Sequence, residues 1–234
     1  MITPRDIEEK TMTETKRNEA KQSLFAFYIG RPISYVLTIP FLYTRITPNA
    51  ISIISIIFSL LGFFFVSFGQ SLLFRMIGWA LFFLWNLFDG IDGNIARYKN
   101  MLSKRGDLLD TLGGYLSMCL ILLSMGFAAY TESIQNPYII AIASLSSLFT
   151  IIPRTLMHRQ ISKDKEISSN ANSLKDKETY SLAKIVALNI CDPAGFQMIF
   201  MLIALALNQS GIFTIVYAFI NIVVMIYSIN QLVR

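Results

Sequence analysis

From Thr47 onward the chain alternates long apolar stretches with short polar breaks. Six stretches approach the length needed to cross a hydrocarbon core: 48–68, 72–97, 106–130, 137–157, 182–207 and 212–232. The breaks carry turn-forming residues, as in Gly69-Gln70-Ser71, Gln135-Asn136-Pro137 and Asn208-Gln209-Ser210-Gly211. Thr47 is a suitable N-cap and Pro48 suits the first helical position, so the first stretch has a defined start. The pattern predicts an all-α integral membrane fold with six transmembrane helices. Residues 1–21 are charged and of mixed sign. Residues 22–45 are apolar but interrupted by Gly30, Arg31, Pro32 and Pro40. They read as an interfacial juxtamembrane helix, with Tyr28, Tyr35 and Tyr43 suited to the membrane surface; a short bent span is the competing reading. Residues 158–181 form a polar stretch and read as a loop. The division is an N-terminal and juxtamembrane part, 1–46, and a six-helix membrane domain, 47–234.

Composition supports this picture. Of 234 residues, 54% are hydrophobic, and the mean hydropathy of +0.53 is too high for an ordinary soluble domain. The first twenty or so residues lack the apolar core of a signal peptide. Cys119 and Cys191 have neither metal-ligand nor disulfide-framework spacing. The net charge of +5 raises nucleic acid as a partner, but its distribution argues against that. With six spans, every Lys and Arg except Arg75 falls on one side, together with both termini. Such a bias marks the cytoplasmic side and leaves membrane lipids as the natural neighbours of the basic residues.

Against this background the stretch 86–114 is unusual. Asp89, Asp92 and Asp110 and the cation Arg97 lie in or beside apolar segments, where an ionised group is costly and generally functional. Asp89 and Asp92 share a helical face. Gly93 and Ala96 leave that face bare, and Arg97 offers a fork suited to phosphate. Asp110 lies one turn inside the next helix, able to face the pair across an antiparallel hairpin. Three converging carboxylates call for a hard divalent ion, Mg²⁺ or Mn²⁺. With arginine and small residues beside them, they suggest phosphoryl or phosphodiester chemistry. A buried ion-pair network that sets helix register is the bland alternative.

Asp89-x-x-Asp92-Gly93-x-x-Ala96-Arg97, eight residues, then Gly106-x-x-x-Asp110 resembles the signature of the CDP-alcohol phosphotransferases. Arg31–Ser34 and Thr47-Pro48-Asn49-Ala50-Ile51-Ser52 are similar to the segments that precede it. The resemblance implies a six-helix membrane enzyme, usually a homodimer, with its active site at the cytoplasmic face. Such an enzyme transfers a substituted phosphate from a CDP-alcohol to a lipid or polyol acceptor and releases CMP, in phospholipid or glycoconjugate synthesis. It further implies that Asp89, Asp92 and Asp110 ligate a pair of Mg²⁺ or Mn²⁺ ions. Asn49, Ala50, Ile51, Ser52, Gly93, Ala96, Arg97, Ser103 and Gly106 would lie against the CDP-alcohol.

One position departs from the signature. The resemblance implies a fourth aspartate, the general base, where this chain has Gly114. Four readings stand: an inactive or repurposed relative that binds CDP-alcohol without turnover, a variant made to trap a substrate complex, substitution by Asp107, or an acceptor oxygen already ionised. A small transporter using the carboxylates as an ion path is a reading of another class. Near the cytoplasmic end of the fourth stretch, Arg154, His158 and Arg159 are candidates for an acceptor pocket or for lipid anchoring. Asp192, before Pro193, either lines that pocket or caps a helix broken by the proline.

Overall fold

A computed structural model describes residues 2–21, 23–168 and 189–233. The described residues are helical, with no strand among them. Two short helices come first, the amphipathic α1 (Pro4–Thr11) and the polar α2 (Glu14–Ala20). A π-helical turn, Ala26–Gly30, runs into α3 (Arg31–Leu42). Then come α4 (Pro48–Phe68), α5 (Leu72–Tyr98), α6 (Lys104–Ala129) with a π-helical end at Tyr130–Ile134, and α7 (Tyr138–Ser168). The last two are α8 (Phe196–Ala206) and α9 (Ser210–Val233).

Among the described residues, five helices are long and apolar enough to cross a membrane: α4, α5, α6, α7 and α9. The protein is therefore a multi-pass membrane protein. The expected cap at Thr47 is in place, and Ser103 caps α6 in the same way. The Thr47 side chain accepts from the Ala50 N–H at 3.3 Å, and the Ser103 side chain accepts from the Gly106 N–H at 3.0 Å.

Two expectations change. The stretch 182–207 is not one uninterrupted helix, because Asp192, Pro193, Ala194 and Gly195 form a turn before the 11-residue α8. Proline lacks the N–H that a continuing helix needs, and Asp192 closes the turn by accepting from the Ala194 N–H at 3.2 Å. The polar stretch after residue 157 also remains helical to Ser168. Its Lys, Glu and Gln residues are good helix formers, so polarity there ends the span but not the helix. The remainder of that expected loop lies outside the described residues.

Packing explains where the polar groups gather. Helix α4 packs closely against both α5 and α6, whereas α5 and α6 barely touch each other. Helix α3 lies on α5, and Ile51, Ile91 and Ile95 are fully buried between α3, α4 and α5. A second core of Phe82, Trp85, Ile121, Met125, Met201 and Leu205 fills the middle of the bundle. Outward-facing Leu60, Phe64, Phe68, Leu73 and Phe219 give the long helices an apolar exterior that suits lipid.

Helices α4 and α5 approach each other closely at Gly62 and Gly78. A Cβ at position 78 would come within 2.6 Å of Val66 Cγ2 and 2.8 Å of the Val66 backbone nitrogen. Small residues let helix backbones approach in this way where lipid provides no hydrophobic drive for association. Gly78→Ala is therefore expected to destabilise the bundle by roughly 1–3 kcal/mol through overpacking, read as a lower unfolding midpoint in detergent. An unchanged midpoint would mean that the crossing relaxes freely.

Candidate active site

The N-terminal end of α4, the C-terminal end of α5 and the first turns of α6 meet at one end of the bundle. They enclose a cavity of about 500 Å³. Its wall carries Asn49 and Ser52 from α4, Asp92, Gly93, Ala96 and Arg97 from α5, and Ser103, Gly106, Asp107 and Asp110 from the start of α6. A smaller cavity of about 280 Å³ adjoins it on the α3 side, lined by Arg31, Asn86, Asp89, Asn94 and others. Gly93, Arg97 and Asp110 border both.

Individual side chains are held by their neighbours. Asp92 is buried and accepts a short hydrogen bond from the Ser52 hydroxyl, which couples α4 to α5 at the site. The Arg97 guanidinium folds back over Gly93, where a Cβ would stand 2.9 Å from Nη2. Glycine at 93 thus leaves room for the arginine on its own helix face. Arg97 Nη2 donates to Asn94 Oδ1 at 3.4 Å, and its buried Nε has no partner. Asn94 in turn donates to Thr38 on α3 at 3.2 Å. Gly106 serves a similar purpose on α6, since a Cβ there would lie 3.1 Å from Asn49 Oδ1.

Most of the residues expected against a CDP-alcohol thus share one cavity. Ala50 and Ile51 are different. Neither borders the cavity, and the Ile51 side chain is fully buried in the α3–α4–α5 core. The three aspartates divide between the two spaces, Asp92 on the larger, Asp89 on the smaller and the exposed Asp110 on both. Among the described residues, no group of three His, Cys, Asp or Glu stands close enough to hold one metal ion. Helices α5 and α6, which carry these aspartates, each pack against α4. Even so, the donors are hard carboxylate oxygens around a shared opening, which is the ligand chemistry that Mg²⁺ and Mn²⁺ require.

Position 114 faces open space, and a Cβ built there meets nothing within 4 Å. Asp107 borders the larger cavity from the first turn of α6. Arg154 and Asp192 form an ion pair at 3.9 Å that ties α7 to the turn before α8, and neither borders the two cavities. The side chains of His158 and Arg159 lie outside the described residues. Two residues that sequence reasoning does not single out as substrate ligands border the smaller cavity: Asn86, on the Asp89 helix, and Arg31, brought in by the packing of α3.

The fold and the cavity define a multi-pass membrane protein with a polar, carboxylate- and arginine-lined site at one end of its helices. The chain belongs to the CDP-alcohol phosphatidyltransferase family, whose model matches residues 45–227. A comparison with curated proteins found no match. Membership makes the protein a membrane transferase of the class that moves a phosphate-bearing group from a CDP-alcohol to an alcohol in lipid synthesis, a class that uses divalent metal ions.

Proposed function

We propose that the larger cavity binds the cytidine diphosphate part of a CDP-alcohol and that transfer takes place at its border with the smaller one. The observation that carries this reading is the joint lining of one cavity by Asn49, Ser52, Asp92, Gly93, Ala96, Arg97, Gly106 and Asp110, drawn from three helices. Arg97 offers its guanidinium to the diphosphate, and Gly93 and Ala96 keep the approach open. Asp89, Asp92 and Asp110 would hold the divalent ion or ions, and a bound ion would supply charge neutralisation at the diphosphate. An acceptor oxygen forms a bond to the phosphorus that carries the alcohol, the bond from that phosphorus to the CMP oxygen breaks, and the acceptor proton leaves to solvent or to a nearby base. The excess of basic residues at this end of the bundle supports a cytoplasmic site and cytoplasmic termini. A homodimer accompanies this reading and is testable by cross-linking in native membranes.

CMP with Mg²⁺ or Mn²⁺ is expected to raise the thermal midpoint of the detergent-solubilised protein. Asp92→Asn keeps the size of the side chain and its contact with Ser52 but removes the charge, and is expected to abolish the metal-dependent part of that rise. A variant protected as well as the native chain would remove Asp92 from the metal site. Gly114 favours a second reading, a protein that binds CDP-alcohol with little or no turnover. In that case the protection is present, but no CMP appears over any panel of acceptors.

A further inference from the structure

Asn94 follows Gly93 on α5 and shares the wall of the smaller cavity with Arg97, Asp89 and Asp110. It is buried, and so are its partners on α3, Ser34 and Thr38. The Thr38 hydroxyl donates to the Ser34 carbonyl at 2.6 Å, and the Ser34 hydroxyl donates to the Arg31 carbonyl at 2.9 Å. Both hydroxyl protons are therefore committed within α3, which leaves oxygen lone pairs for Asn94. The Asn94 amide nitrogen meets them, donating to Thr38 Oγ1 at 3.2 Å and to Ser34 Oγ at 3.4 Å. The amide oxygen is left for Arg97, whose Nη2 donates to it at 3.4 Å. A guanidinium carries no acceptor, so the demands from the two ends agree on one amide orientation. Gly90 makes the contact possible, because a Cβ there would stand 3.2 Å from the Ser34 side chain and push α3 away.

The neutral partner matters because of what surrounds Arg97. Asp92 and Asp110 border the larger cavity with it, and Asp89 and Asp110 border the smaller one with it. A guanidinium free to turn would pair with one of these carboxylates, which would spend its charge and occupy oxygens suited to a metal ion. Among the described residues Arg97 forms no ion pair. We infer that Asn94 is a positioning residue: with its amide oriented by α3, it holds Arg97 off the aspartates and keeps that charge for the donor diphosphate. Ser34 and Thr38 precede residues 45–227, so this support comes from outside the segment that the family model matches. The inference rests on the reading of the larger cavity as the donor site.

The test titrates the full chain in detergent with CDP and with cytidine at fixed Mg²⁺. The native chain is expected to bind CDP more tightly than cytidine. Asn94→Leu, close to asparagine in shape, is expected to lower CDP affinity roughly tenfold while leaving cytidine affinity in place, which also reports a folded variant. Arg97→Gln should lower CDP affinity by itself, and Asn94→Leu should then add nothing, because the two act as one unit. A merely structural role would instead weaken both ligands and add to the Arg97 variant. Thr38 borders neither cavity, so Thr38→Val reaches Arg97 only through Asn94 and should shift CDP affinity in the same direction by less. If Asn94→Leu does not fold, Thr38→Val decides, and no change in its CDP affinity counts against the inference. Unchanged CDP affinity in Asn94→Leu, equal losses for CDP and cytidine, or full additivity with Arg97→Gln would each overturn it. A native chain with no preference for CDP over cytidine would sink the donor reading itself.

Discussion

Replacing Gly114 with aspartate is expected to raise the rate of CMP release by roughly 10²–10⁴-fold, the usual contribution of a positioned general base. The geometry permits the substitution. Position 114 is one helical turn beyond Asp110 on α6, and a Cβ there meets nothing within 4 Å. Aspartate is no worse a helix former than glycine, so the fold should tolerate it. The assay is CMP release from a CDP-alcohol with Mg²⁺ over a panel of acceptors, native chain against Gly114→Asp. A large gain identifies a site that lacks its base. A change below about threefold, with a brisk native rate, would refute that view and turn attention to Asp107, which borders the larger cavity. Asp107→Asn in the native background then decides whether that carboxylate has taken over the role.

Breaking the Arg75–Glu132 pair is expected to cost about 3–5 kcal/mol of stability, because one buried charge would be left without its partner. This pair lies at the end of the bundle away from the cavities and is almost completely buried, with side-chain exposures of 6% and 3%. Arg75 donates through Nε to the Gly69 carbonyl, through Nη1 to Glu132 and through Nη2 to Thr131. Glu132 also accepts from the backbone N–H of Ser210 at 2.9 Å and from its hydroxyl at 2.7 Å. A carboxylate at the N-terminus of α9 is also favoured by the helix dipole. The network therefore joins the end of α4, the end of α6 and the start of α9. Arg75→Met should lower the unfolding midpoint sharply while CMP binding survives below it. The double variant Arg75→Met, Glu132→Gln should recover part of the loss, since neither buried charge then remains. A loss under about 1 kcal/mol for Arg75→Met alone would show that the network contributes little.

Much of the site is legible in the order of residues alone. The spacing of Asp92, Gly93, Ala96, Arg97, Gly106 and Asp110 places them together because a helical repeat and a short connection leave few other arrangements. In the six-span reading of the sequence, Arg75 stands out only as the one basic residue set apart from the rest; its partner is 57 positions away and is brought to it by packing. Arg31 is legible as an interruption in an apolar stretch, but its place beside Asn86 depends on the approach of α3 to α5 at Gly90. Arg154 and Asp192 read, from their positions in the chain, as acceptor ligands or as an anchor and a cap. The structure pairs them with each other, which periodicity within single helices has no means of revealing.

Apolar length, capping residues, proline and helical spacing are local properties of the chain. They suffice to make it a helical membrane protein, to set where α4 and α5 begin, and to bring most of the motif residues to one end of the bundle. Packing between helices is needed for the rest. It sets α5 and α6 against α4, and the three aspartates line two adjoining cavities. It also brings Arg31 in to complete the smaller cavity and leaves the surroundings of Gly114 open. The reason is that small residues such as Gly62, Gly78 and Gly90 set how closely helices approach, and that distance depends on both partners of a crossing.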